Sequence, residues 1–299
     1  MSNATFQGLA VALATPFTRS GDVDLPAYRK LVDHVVRGGV DILIVLGTTG
    51  ESATLDEAER DRLIETTLAE AKGRTVVAGT GSNSTRHACA WTARAQELGC
   101  AGALVVTPYY NKPMPHGIAE HFHAVAKAAP GLPLIAYNVP GRTGVNLTPA
   151  TLDLLWEIDE VVSVKESSGN LAQIGEVARR LPRGKTLLAG DDNLALPSIA
   201  VGAEGLVSVL ANVLPAETAR LVSAARQGRR DEARELHARL LPVIDALFCE
   251  SSPIPLKAAL SLMGLASDEL RLPLSAPEPA TVRRIGEALA PFLEGNRRR

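Results

Sequence analysis

Eight short apolar runs, each closed by glycine, proline, asparagine or another turn former, recur along the first two thirds of this chain and leave little choice of fold. They occupy 9–14, 42–46, 76–78, 103–106, 134–137, 161–164, 187–189 and 206–210. Runs this brief, bounded by turn residues, read as strands buried on both faces. Between most of them lies a helix-length segment. The clearest begins at Thr54-Leu55-Asp56-Glu57, which reads as a capping box opening a helix that runs to Lys72 and is stopped by Gly73. Strand ends fall roughly 20 to 33 residues apart, which suits repeated βαβ crossovers. Eight such units in about 200 residues make the arithmetic of a (β/α)8 TIM barrel and not of a doubly wound sheet. After residue 214 the strand signal ends. Helical patterns follow at 216–227, 231–248, 253–264 and 279–293. The expected fold is therefore α/β, with a barrel over 1–214 and a C-terminal helical extension over 215–299.

Composition narrows the class of function. With a formal net charge of −2, the chain has no overall field to draw in nucleic acid or an anionic membrane surface. The first six residues lack a basic flank and an apolar core, and no segment reaches the ~18 uninterrupted apolar residues of a spanning helix. A cytoplasmic location is expected. The cysteines, Cys89, Cys100 and Cys249, are odd in number and lack metal-type spacing, which suits reduced thiols. The glycosylation-like triplets at Asn3, Asn83 and Asn146 carry no meaning without a secretory route.

In a parallel barrel the carboxyl ends of all strands share one rim, and the chemically able residues of this chain gather there. Val161-Val162-Ser163-Val164 runs straight into Lys165, which places a primary amine at the edge of an apolar core. A free lysine is protonated at neutral pH, whereas desolvation can expose a nucleophilic lone pair. Strand two runs into Gly47-Thr48-Thr49-Gly50-Glu51, whose N–H groups and two hydroxyls suit a small carboxylate near the following helix start. Strand four ends in Thr107-Pro108-Tyr109-Tyr110-Asn111, strand five in Tyr137-Asn138-Val139-Pro140-Gly141-Arg142, and strand seven in Gly190-Asp191-Asp192. Three of the chain's 4 tyrosines fall at these positions. A tyrosine hydroxyl can relay protons, and a guanidinium can grip a carboxylate.

Other readings fall away. His121 and His123 diverge on a predicted helix and are expected to be ordinary polar-face residues without a metal. Gly184-Lys185-Thr186 imitates the end of a phosphate loop but precedes a strand, so it is a turn. Asp191-Asp192 could be an acid/base pair, yet adjacent side chains diverge, and a solvated loop is the expectation.

Taken together, GTTGE at 47–51, VTPYYNKP at 106–113, YNVPGRTG at 137–144, VKESSGN at 164–170, GDD at 190–192 and SPIPLKAAL at 252–260 resemble, in order, the motifs of the N-acetylneuraminate lyase superfamily of pyruvate-dependent class I aldolases. The resemblance is strongest to the branch that joins pyruvate to L-aspartate 4-semialdehyde on the route to diaminopimelate and lysine. It implies that Lys165 forms a Schiff base, that Tyr137 is the catalytic tyrosine, and that Thr48 and Tyr110 complete a hydroxyl relay, with Tyr110 supplied across a tight dimer interface. It also implies that Thr49 holds the pyruvate carboxylate, that Arg142 holds the second substrate's carboxylate, and that Gly190 and Val207 line the pocket through backbone carbonyls. No metal or other cofactor is called for, and a homotetramer built from tight dimers is expected. A sister aldolase acting on a sugar acid or other 4-hydroxy-2-oxo acid remains the alternative, with Arg142 arguing against it. A silent oxo-acid-binding barrel would be expected to lack Lys165 or Tyr137. Lysine-inhibited relatives are similar at Ser52, Ala53, Asn83 and Tyr109, but this chain differs from them at Glu57, Arg60 and His87, which implies weak or absent inhibition by L-lysine.

Overall fold

The computed structural model describes residues 6–293. Residues 1–5, which form most of the stretch read for a leader and include Asn3, lie outside them, as does the end of the 215–299 region. Eight parallel strands close into a barrel in sequence order: β1 Gly8–Ala12, β2 Ile42–Val45, β3 Thr75–Gly79, β4 Gly102–Val106, β5 Leu134–Asn138, β6 Val161–Glu166, β7 Thr186–Ala189 and β8 Gly205–Ser208. Strand β8 pairs back onto β1 from Gly8↔Gly205 to Val11↔Ser208. The helices are α1 Leu25–Arg37, α2 Glu57–Glu70, α3 Thr85–Glu97, α4 Pro115–Ala128, α5 Pro140–Thr143, α6 Pro149–Trp156, α7 Leu171–Arg180, α8 Ala195–Ala200, α9 Pro215–Arg226, α10 Arg230–Leu247, α11 Ile254–Leu262 and α12 Pro279–Leu293.

Strand alternation sorts the apolar side chains into two layers. Ala10, Ile44, Ile135, Leu188 and Val207 fill the barrel, while Leu134, Ala136, Val161 and Val164 pack outward under the helices. Covered on both faces, the strands are continuous apolar runs, the pattern that made them visible in the sequence. One irregularity sits between β5 and β6. Leu134 pairs with Val161 but Ile135 pairs with Ser163, so Val162 is an extra residue in the ladder. Val162 packs with the barrel interior.

Three expectations need correction. The capping box at the start of α2 is Asp56 with Glu59: Asp56 Oδ1 accepts from the Glu59 N–H at 2.8 Å, and Glu59 Oε2 accepts from the Asp56 N–H at 3.0 Å. Thr54 instead ends a 3-10 turn, Ser52–Thr54, and its hydroxyl donates to the Glu51 carbonyl at 3.0 Å. The helix at 216–227 is not part of an appendage, because α9 follows β8 and packs against β1, β8, α1 and α8 as the eighth barrel helix. The extension proper is α10–α12, and it shares one continuous core with the barrel through Leu240, Val243, Ile244 and Leu256. Finally, His121 is not a polar-face residue. It is 3% exposed and shares Nδ1 with the Thr85 hydroxyl at 2.9 Å, while His123 is exposed. Ile118, His121, Phe122, Val125 and Ala126 form the buried stripe of α4, so the 3-and-4 spacing carries His121 inward.

Candidate active site

The ladder between β5 and β6 sets the centre of the site. Tyr137 pairs with Lys165 and both point into the barrel, each 6% exposed, with Lys165 Nζ 4.0 Å from the centroid of the tyrosine ring. One residue further on, Asn138 pairs with Glu166 on the outer face. Asn138 Nδ2 donates to Glu166 Oε2 at 2.8 Å, the Ser168 N–H donates to Glu166 Oε1 at 2.7 Å, and the Leu147 N–H donates to Asn138 Oδ1 at 2.8 Å. Burial raises the Glu166 carboxyl, and the hydrogen bonds from Ser168 and Asn138 work against it. The outer pair therefore braces both loops that leave the reactive inner pair. Neither residue was assigned a role from sequence.

Beyond β2 the chain forms two successive 3-10 turns, Thr48–Gly50 and Ser52–Thr54, before α2 begins. The helix start is thus several residues beyond Thr48 and Thr49 and is closed by its own capping box, so the hydroxyls stand on the first small turn. The Thr15 hydroxyl holds that turn by donating to the Gly50 carbonyl at 2.8 Å. Glu51, in a left-handed conformation with φ 51°, ends it and pairs with Lys257 of α11.

A cavity of about 60 Å³ lies over Lys165, and Thr48, Thr49, Tyr137, Arg142 and Gly190 share its lining. Arg142 reaches the rim from α5, where Nη2 donates to the Ser252 carbonyl at 3.2 Å. Two expected residues are elsewhere. Val207 is buried in the barrel interior, and Val209 is the lining residue from that end of the chain. Tyr110 is 87% exposed and is not part of this lining.

The aspartates after β7 part company, as adjacent residues should, but they do not form a solvated loop. Asp192 is 2% exposed and accepts from the Ser208 hydroxyl and from the N–H groups of Val209 and Leu210, which brackets the end of β8. Burial raises its carboxyl. Asp191 lines the cavity; burial raises it too, while the charge of Lys165 pulls the other way. Phe248 and Ser252, from the stretch between α10 and α11, complete the wall. The motif beginning at Ser252 was visible in the sequence, but nothing local said that the chain returns here. Among the described residues, no group of three or more His, Cys, Asp and Glu is arranged to hold a metal ion, and no helix is long and apolar enough to cross a membrane.

Residues 5–289 match the Dihydrodipicolinate synthetase family. A 4-hydroxy-tetrahydrodipicolinate synthase of Geotalea daltonii is 48% identical over 281 residues, covering 94% of this chain and 96% of that protein. The chain belongs to the dihydrodipicolinate synthetase family. Membership makes it a pyruvate-dependent lyase of the class I aldolase type. Among solved family structures, the dihydrodipicolinate synthase of Aquifex aeolicus superposes with a TM-score of 0.93 at 43% identity, covering 96% of this chain and 98% of that one. The Cyanidioschyzon merolae enzyme, solved with lysine bound, gives 0.92 at 40%, covering 95% and 97%.

Of the inhibitor positions that the resemblance assigned, Ser52, Ala53, Arg60 and Tyr109 line a second cavity of about 330 Å³, together with Glu51 and Trp91, whereas Asn83, Glu57 and His87 are outside its lining; this cavity shares Thr48 and Arg142 with the first. Arg60 is 5% exposed, lies 4.0 Å over the Trp91 ring and donates to the Gly79 carbonyl at 2.9 Å. Burial lowers its guanidinium to about 10. His87 stacks on the same tryptophan, with ring centroids 5.6 Å apart.

Proposed function

We propose that this protein condenses pyruvate with L-aspartate 4-semialdehyde to 4-hydroxy-tetrahydrodipicolinate, through an imine on Lys165, in diaminopimelate and lysine biosynthesis. The observation that carries the reading is the lysine amine held inside the barrel against the Tyr137 ring, beneath a small cavity that two threonine hydroxyls share. The named activity of relatives nearly half identical over almost the whole chain supports the choice of substrates.

In this reading the neutral Lys165 amine adds to the keto carbon of pyruvate, and water leaves as the carbon–nitrogen double bond forms. The protonated imine then acts as an electron sink. A methyl proton departs to give an enamine, whose carbon attacks the aldehyde of the second substrate. The substrate's own amine finally displaces Lys165 and closes the ring. Tyr137 and Thr48 move protons, Thr49 holds the pyruvate carboxylate, and the backbone of Gly190 borders the bound acid. Arg142, set at the rim, receives the carboxylate of the semialdehyde. The chemistry runs on the covalent imine and needs no metal or other cofactor.

Tyr110 enters this scheme from a second copy of the chain. Its side chain is 87% exposed and stands apart from its own cavity, which favours a tight dimer in which each copy completes the other's relay, and a tetramer of two such dimers. The protein is expected to act in the cytoplasm.

Borohydride reduction in the presence of pyruvate tests the central step. The intact mass should rise by one reduced pyruvyl group that maps to Lys165. An adduct on Lys257 or Lys112, or none, would overturn the assignment. A panel of aldehydes with pyruvate fixed then separates this reading from a sugar-acid aldolase.

A further inference from the structure

A polar atom that folding removes from water must find a new partner or carry a penalty of about 1–3 kcal/mol. Ser167, two residues past Lys165, holds such an atom. Its backbone is engaged, since its N–H donates to the Asn138 carbonyl at 2.8 Å. Its hydroxyl is not. Among the described residues, Ser167 Oγ is the one buried polar side-chain atom in the lining of the lysine cavity that meets no protein partner.

Gly190 shows where the hydroxyl is aimed. A Cβ built on Gly190 would lie 1.9 Å from Ser167 Oγ and 2.9 Å from Lys165 Cε. The bare backbone at 190 therefore lets the serine hydroxyl and the last methylene of the amine-bearing chain both close over it, which sets the hydroxyl beside the Lys165 side chain. Any carbon joined to Nζ is two bonds from that methylene. An alanine at 167 would occupy the same place without a hydroxyl, whereas the serine keeps a donor that no protein group uses and that a ligand on Lys165 is positioned to engage.

We infer that Ser167 is a catalytic residue that hydrogen-bonds the oxygen of the keto carbon attacked by Lys165. The inference rests on the imine chemistry proposed above. As the amine adds, the carbonyl π pair moves onto oxygen, which takes up a proton shed by the attacking nitrogen to give a carbinolamine hydroxyl. The nitrogen lone pair then forms the carbon–nitrogen double bond, and that oxygen leaves as water with a second proton delivered through Tyr137, leaving a protonated imine. Ser167 donates to the oxygen as its charge develops and keeps its own proton throughout, so no co-reactant is required. A neutral donor suits an oxygen that passes from carbonyl to hydroxyl to water.

Ser167→Ala tests this, with adduct formation followed by quenching with borohydride at intervals at subsaturating pyruvate. The variant should accumulate the Lys165 adduct roughly tenfold more slowly, the equivalent of one net hydrogen bond of about 1.4 kcal/mol. Without pyruvate it should unfold at the parent's temperature or above, because an unpaired hydroxyl has been removed. A parent-like rate of adduct formation overturns the role of Ser167. So does a lowered unfolding temperature with an unchanged rate, which would make the hydroxyl structural. If the parent protein itself forms no adduct on Lys165, the imine reading fails and takes this inference with it.

Discussion

Glu51 and Lys257 form a buried ion pair: the lysine side chain has no exposed surface and the carboxylate almost none. The pair links the turn that carries Thr48 and Thr49 to α11, far along the chain. Lys257 Nζ also donates to the Glu269 carbonyl at 2.7 Å and lies 4.0 Å over the Phe17 ring, while the Arg271 N–H donates to Glu51 Oε2 at 3.1 Å. Burial pushes the Lys257 ammonium down to about 8, with Glu51 holding it up.

Removing one partner of such a pair strands the other. Lys257→Met should destabilise the protein by roughly 3–5 kcal/mol in urea unfolding, because the Glu51 carboxylate is left buried without its cation. Adding Glu51→Gln should recover most of that loss. A single variant within 1 kcal/mol of the parent would show that the pair contributes little beyond filling space.

Arg142 makes its one observed side-chain bond to a carbonyl, so its guanidinium is open to an anion at the rim. Arg142→Ala should weaken use of aspartate semialdehyde by about 1.5–3 kcal/mol while leaving pyruvate adduct formation intact. Unchanged semialdehyde kinetics would favour the sugar-acid alternative.

Inhibition by L-lysine should be weak. An ammonium entering the second cavity needs a free carboxylate, yet the Glu51 carboxylate in its lining is already paired with Lys257, and the Arg60 guanidinium lines the same cavity, with His87 stacked on Trp91. A histidine, neutral or positive, supplies no countercharge. Initial rates at saturating pyruvate, with lysine titrated into the millimolar range, will decide. Strong inhibition below one millimolar would mean that Glu57 compensates.

His121 should make the protein sensitive to acid. Burial lowers its imidazole from 6.5 to about 4, so between those values the unfolded chain takes up a proton that the folded chain refuses. The stability this residue lends is complete above pH 6.5 and is lost as the pH falls towards 4, amounting to on the order of 3 kcal/mol at most. His121→Gln should flatten the stability profile over that window relative to the parent. An identical slope in both proteins would remove His121 as the cause.

What the sequence disclosed and what it withheld divide by range. Strands, helices and Lys165 declare themselves through neighbours within a few residues. The capping box was misplaced by two positions because two overlapping patterns, starting at Thr54 and Asp56, both satisfy the local rule, and only the hydrogen bonds choose between them. Asp192 reads as an ordinary loop acid and Glu166 carries no local signal because their partners arrive from other parts of the chain. Phe248 and Ser252 reach the cavity only through the packing of α10 and α11. His121 was legible and was misread, since its spacing from Ile118 and Val125 already placed it inside.

The extra residue in β6 decides more than local twist. With Val162 out of register, Lys165 stands beside Tyr137; in an unbroken ladder continuing from Leu134 and Val161, Val164 would take that place and the lysine would turn outward towards the helices. The inward amine is thus a product of counting along the chain. Deleting Val162, a residue outside the cavity lining, would silence the enzyme while leaving every residue assigned a chemical role in place.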